Sequence, residues 1–176
     1  LIYTGHKFHG DPGDEANLYQ VQCLATSRDG IQFVRHGTVI DTPPGLHHFR
    51  DPKVWREGEW WYMVVGARDG ETGQVRAYRS ADLREWQDMG VLAVAEKEMG
   101  YMWECPDFFT LNGKRVLMFS PQGLEAEGFK NRNLFQSGYL LGEWQPGKPF
   151  VREGEFVEMD RGHDFYAPQS FLTPDG

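Results

Sequence analysis

The chain has 176 residues, with 18 Lys and Arg against 26 Asp and Glu and a formal charge of −8; this balance argues against a nucleic-acid partner, because phosphate binding rests on clustered cations. Hydrophobic residues at 40%, charged residues at 25% and aromatic residues at 14% place it among globular chains rather than disordered or fibrous ones. Cys23 and Cys105 belong to no CxxC pair, so neither a disulfide framework nor a zinc site is indicated, and no run approaches the roughly 20 apolar residues of a membrane helix.

In chain order, the apolar residues fall into short runs cut by Gly, Pro, Asp and Asn, a pattern that predicts strands and turns. LIYTG at 1–5 reads as a strand already under way, and HGDPGDE at 9–15 as a surface loop. Further strands are predicted at YQVQCLATS (19–27), QFV (32–34), KVW (53–55), WWYMVVGA (60–67) and VRAYRS (75–80). DFFTL (107–111), RVLMFS (115–120) and FYAPQSFL (165–172) complete the set, and 173–176 reads as a turn. No window holds a 3.6-residue apolar period between caps, so long helices are not expected. GLEAEGFK (123–130) lacks the Gly-Lys-Ser/Thr ending of a phosphate-binding loop. His6, His9, His47 and His48 come without HExxH or Cys/His spacing, so loop positions and no metal are expected. Trp60, Trp61 and Trp144 are assigned to packing, and Tyr101, Met102 and Trp103 to the lining of a pocket beside Glu104.

The chain resembles itself. Ser27, Asp29, Phe33 and Gly37 recur as Ser80, Asp82, Trp86 and Gly90, each 53 positions on, and the same offset carries Asp51 onto Glu104. Each acid opens a similar phrase, RDPKVWREGEWWYMVVGA and then ECPDFFTLNGKRVLMFSP, and a looser third copy begins at Asp164. Repeats of about 50 residues made of several short strands indicate β-propeller blades, with two similar hairpins in a sandwich as the alternative. In a propeller the equivalent inner-strand positions face one central channel, so Asp51, Glu104 and a residue near Asp164–Tyr166 converge.

Paired carboxylates are the equipment of glycoside hydrolysis, one protonating the leaving group while another serves as nucleophile. Glu104 suits the acid/base role because Trp103, Cys105 and Pro106 flank it and reduce its hydration. Asp51 stands between Arg50 and Pro52, which favours an ionised acceptor for sugar hydroxyls. The alternatives are a rim salt bridge for Glu104 and an Asp-Pro turn for Asp51.

FRDPKVW (49–55), WECPDFF (103–109) and DFYAPQSF (164–171), in this order, with LIYTG, QCLATSRDGIQF and GYMWECPD in support, resemble glycoside hydrolase family 32 over nearly the whole chain. The resemblance implies an all-β fold, about three blades of a five-bladed propeller that a β-sandwich follows. It implies retaining hydrolysis of β-fructofuranosides such as sucrose or sucrose-6-phosphate, without a cofactor, in a protein expected to be cytoplasmic. Asp51 then corresponds to the transition-state stabiliser, helped by Arg50, and Glu104 to the acid/base. Cys105 tunes Glu104 rather than attacking, and Trp103, Asp160, Asp164 and Tyr166 are expected to contact the sugar. The family's nucleophile motif, of the NDPNG type, has no match here. Asp11 is not equated with it, so residues 1–176 are expected to be a central fragment without activity of its own. A fructan hydrolase, a non-catalytic carbohydrate-binding propeller and, more distantly, an arabinan hydrolase are the competing readings.

Overall fold

A computed structural model describes residues 1–12, 14–96 and 98–173. Strands β1 (Ile2–Phe8), β2 (Leu18–Ser27) and β3 (Phe33–Ile40) form one antiparallel sheet in that order. A second antiparallel sheet runs β4 (His48–Glu57), β5 (Trp60–Asp69), β6 (Thr72–Ser80) and β7 (Gln87–Val94). The third runs β8 (Met102–Leu111), β9 (Lys114–Gln122), β10 (Gly138–Glu143) and β11 (Val151–Glu158). A three-residue 3-10 helix, Glu15–Asn17, is the only helix among the described residues. The class is all-β, and three successive meanders packed face to face are blades of a partial β-propeller.

The middle sheet is buried on both faces, which explains why β5 reads as an unbroken apolar run. Met63, Val65 and Ala67 point one way, into a cluster with Phe49 and Tyr78 that packs on Ile2 and Ile40. Tyr62 and Val64 point the other way, into a cluster with Trp103, Phe108, Leu117, Phe119 and Leu140 of the third sheet and Trp144 just past β10. Strand alternation thus sends successive side chains of one element into two different interfaces.

Gly66 belongs to the second face, and there the sheets approach so closely that a Cβ would stand 2.1 Å from the backbone oxygen of Trp103. No side chain can yield, because the obstacle is main chain. Gly66→Ala is therefore expected to push β8 away and to cost on the order of 2 kcal/mol or more. A urea midpoint unchanged from the parent protein would refute this account of the interface.

The 53-residue repeat is visible atom by atom in the outer strands. Ser27 Oγ accepts from Gly30 N at 2.8 Å and Asp29 Oδ1 from Gln32 N at 2.9 Å. Ser80 Oγ accepts from Leu83 N at 2.9 Å and Asp82 Oδ1 from Glu85 N at 3.0 Å. Leu83 takes the left-handed conformation, φ 66°, that Gly30 takes at 73°. The ladders even break at the same places, after Gln22 and Leu24 in β2 and after Val75 and Ala77 in β6.

Three expectations change. No strand is assigned at FYAPQSFL, whose backbone is irregular throughout, while β7, β10 and β11 arise where no strand was predicted. β10 carries Gly138 and Gly142, and β11, an edge strand, holds four charged residues and Gly154 among its eight, so neither shows the dense apolar signal of a buried strand. His6 lies within β1 and His48 opens β4 rather than either lying in a loop, whereas residues 9–12 and 14 form an exposed loop and Glu15 begins the 3-10 helix. The turn expected at 173–176 lies, from Pro174 on, outside the described residues.

Candidate active site

β4 and β8 are the edge strands of their sheets and lie side by side. Each contains a β-bulge, between Arg50 and Lys53 in β4 and between Glu104 and Asp107 in β8. A proline occupies each bulge, Pro52 and Pro106, where no ladder donor is needed. The residue before each proline is left-handed, Asp51 at φ 64° and Cys105 at 48°, and Ala167 before Pro168 repeats this at 55°. A bulge re-aims side chains at a strand's rim. Here it turns Asp51 out of the plain alternation and toward the neighbouring strand.

The register corrects the sequence comparison. Arg50 pairs across its hairpin with Gly66, as Glu104 does with Ser120, so Arg50 corresponds to Glu104 and Asp51 to Cys105, an offset of 54. One additional residue between Ala93 of β7 and the start of β8 shifts the frame by one. Blade-equivalent residues then touch in pairs: Arg50 with Glu104, Asp51 with Cys105, Lys53 with Asp107.

Glu104 is held at both oxygens. Oε1 accepts from Arg50 Nε at 3.0 Å and Nη2 at 2.6 Å, and Oε2 accepts from Gln122 Nε2 at 2.7 Å and from the Tyr166 hydroxyl. Arg50 was expected to serve the adjacent Asp51, yet its Nε lies 4.0 Å from that carboxylate because the bulge separates the two side chains. Its Nη1 donates instead to His48 Nδ1 at 2.9 Å, so that imidazole nitrogen is the acceptor. Asp51 Oδ2 accepts the Cys105 N–H at 3.0 Å, tying the two bulges together. The side chains of Glu104 and Asp51 remain 15% and 31% exposed, which leaves Asp51 the more open to a ligand.

Burial, reinforced by the charge of Asp51, pushes the Cys105 thiol up to about 12. It is therefore a protonated donor toward Asp51 near neutrality and not a nucleophile. Burial and the hydrogen bond to Glu104 raise Tyr166 as well, so its phenol keeps the proton it donates.

Trp103 is the clear correction among the expected sugar contacts. It is fully buried, stacked on Phe119 at 4.0 Å with Nε1 donating to the Met99 oxygen, because alternation along β8 sends it away from the Glu104 face. Met102 is likewise core. The polar surroundings of Glu104 are Arg50, Gln122 and Tyr166 rather than an apolar flank. Asp160 folds back onto its own loop, accepting from Gly162 N at 2.7 Å, and Asp164 is exposed. A cavity of about 600 Å³ lies lower between β4 and β8, lined by Lys53, Trp55, Asp107, Phe108 and Arg115, and it borders neither Asp51 nor Glu104.

Sequence reasoning missed Gln122, Gln20, Gln22 and Thr4. Gln122 was accessible in principle: the tight turn at Asn112–Gly113 sets the register, and Gln122 is then a diagonal neighbour of Glu104 on the same face. No group of three or more metal-ligating side chains occurs among the described residues, nor any helix long and apolar enough to cross a membrane.

The model of the Glycosyl hydrolases family 32 N-terminal domain matches residues 1–176. A sucrose-6-phosphate hydrolase of Escherichia coli is 56% identical and a raffinose invertase of Escherichia coli 54% identical, each over the whole chain. The chain spans 37% of the length of each of these relatives. A Bombyx mori GH32 beta-fructofuranosidase, solved as a mutant in complex with sucrose, is 40% identical with a TM-score of 0.92, covering 99% of this chain and 38% of that one.

Proposed function

The chain belongs to glycosyl hydrolase family 32, and from that premise we propose that the full-length protein carrying it hydrolyses β-fructofuranosidic bonds with retention of configuration. Sucrose or sucrose-6-phosphate is the proposed substrate, in line with what the similar proteins are named for. The observation that carries the reading is the junction of Glu104 and Asp51 at two paired bulges, with Arg50 and Tyr166 closing on the same carboxylate.

In this reading Glu104 protonates the leaving oxygen and later activates water. Asp51 faces the sugar hydroxyls and the positive charge that develops on the ring. Arg50 and Gln122 fix the Glu104 carboxyl in one orientation, and Tyr166 marks where the irregular segment after β11 meets the site. Residues 1–176 are part of a catalytic propeller, and the nucleophilic carboxylate and a following β-sandwich are assigned to chain outside them. The two free cysteines support placing the protein in the cytoplasm.

The test is a product analysis with the full-length protein on sucrose, sucrose-6-phosphate and inulin, following the anomer first released by NMR. The expected result is β-fructofuranose from sucrose or its phosphate, and none from residues 1–176 alone. Inverted product, or no release from any of the three sugars, would contradict the assignment.

A further inference from the structure

As an edge strand, β4 has one row of backbone groups without a ladder partner, and such groups must be satisfied when buried. The neighbouring blade supplies side chains in place of a strand. Gln20 Oε1 accepts the Phe49 N–H at 2.7 Å, and Gln22 Nε2 donates to the Phe49 oxygen at 2.8 Å. Two residues on, Thr4 Oγ1 accepts the Asp51 N–H at 3.0 Å and donates its own proton to Gln22 Oε1 at 3.0 Å.

The arrangement follows from β-pairing. Gln20 and Gln22 are two apart on one face of β2, and Thr4 stands directly opposite Gln22 in β1. Gln20 is 1% exposed, Gln22 and Phe49 0%. Gln20 Oε1 also lies 3.4 Å from Arg50 Nη1, so the same amide that holds the backbone touches the guanidinium. The amide proton of Asp51, in its left-handed conformation, is captured by Thr4 at the position where its carboxylate turns toward Cys105.

We propose that Thr4, Gln20 and Gln22 are positioning residues of the hydrolase site: they lock the Phe49–Asp51 backbone and thereby aim Arg50 at Glu104 and Asp51 at the sugar. The inference rests on the hydrolase reading given above. A group that only filled the core would tolerate any substituent of its shape, whereas this one depends on which atom donates and which accepts.

The experiment compares Thr4→Val with Thr4→Ser in the full-length protein. Valine keeps the shape and removes both hydrogen bonds, and serine restores the hydroxyl. Thr4→Val is expected to lower kcat roughly 10- to 100-fold, the scale on which small misplacements act, with KM for sucrose moving less than kcat. Thr4→Ser is expected to recover most of the rate. Deuterium exchange over the peptide containing residues 49–51 speeds up in Thr4→Val and returns in Thr4→Ser. As a second variant, Gln22→Glu loses the donor that the Phe49 oxygen needs and is expected to lower kcat as Thr4→Val does. Equal losses in valine and serine, a wild-type kcat in Thr4→Val, or a wild-type kcat in Gln22→Glu would overturn the proposal. If the parent protein released no fructose, the hydrolase reading would fail, and the exchange comparison would still decide whether Thr4 anchors Asp51.

Discussion

Glu104→Gln is expected to reduce kcat on sucrose at least about a thousandfold, equivalent to about 4 kcal/mol of transition-state stabilisation. Glutamine has the size of glutamate, so the fold around β8 should survive the exchange. It cannot pass a proton to the leaving oxygen. Its amide would also set donors against donors, because every group around the Glu104 oxygens, from Arg50, Gln122 and Tyr166, points a hydrogen at them. Stopped or continuous assay of released fructose against the parent protein measures the loss, and a reduction under tenfold would show that Glu104 is not the acid/base.

Asp51→Asn is expected to act differently, lowering kcat by about two to three orders of magnitude while also raising KM for sucrose. Asparagine can keep an oxygen toward the Cys105 N–H, so the link between the two bulges is retained. What disappears is the negative charge facing the sugar, which matters most when the ring becomes positive in the transition state. Saturation kinetics separates this outcome from a loss of packing: a pure packing defect would lower the fraction of active protein and leave KM unchanged.

The architecture was legible because propeller blades repeat, and repeats announce themselves in a single sequence. Ser27–Asp29 and Ser80–Asp82 make the same turn hydrogen bonds because each must close the same outer hairpin. The apolar run of β5 was legible because both its faces are buried. β10 and β11 were not, since glycines and exposed charges leave their pairing to tertiary context. FYAPQSFL is apolar enough for a strand but carries Ala167 in a left-handed conformation before Pro168, and its contacts are made by side chains such as Ser120 and Ser137 toward Ala167 N.

The site was half legible. Arg50, Asp51, Glu104, Cys105 and Tyr166 do meet. Which of them touch was misread because a one-residue frame change converts an apparent Asp51–Glu104 equivalence into an Arg50–Glu104 contact. The additional residue lies in the connection before β8, which carries no hydrophobic periodicity, so only the register reveals it. Trp103 was misplaced for a different reason: neighbours in sequence lie on opposite faces of a strand, so adjacency to Glu104 argued for the core rather than for the pocket.

The most direct test of the central claim, that Glu104 is the acid/base and Asp51 a charge that transfers no proton, compares sucrose with β-fructofuranosyl fluoride, whose fluoride departs without being protonated, for the parent protein and both variants. Glu104→Gln is expected to recover most of its lost rate in the first turnover on the fluoride, because the proton it cannot supply is no longer needed. Asp51→Asn is expected to stay as impaired on the fluoride as on sucrose, because the ring becomes positive with either leaving group. An equal deficit of Glu104→Gln on both substrates, or recovery of Asp51→Asn on the fluoride, would contradict it.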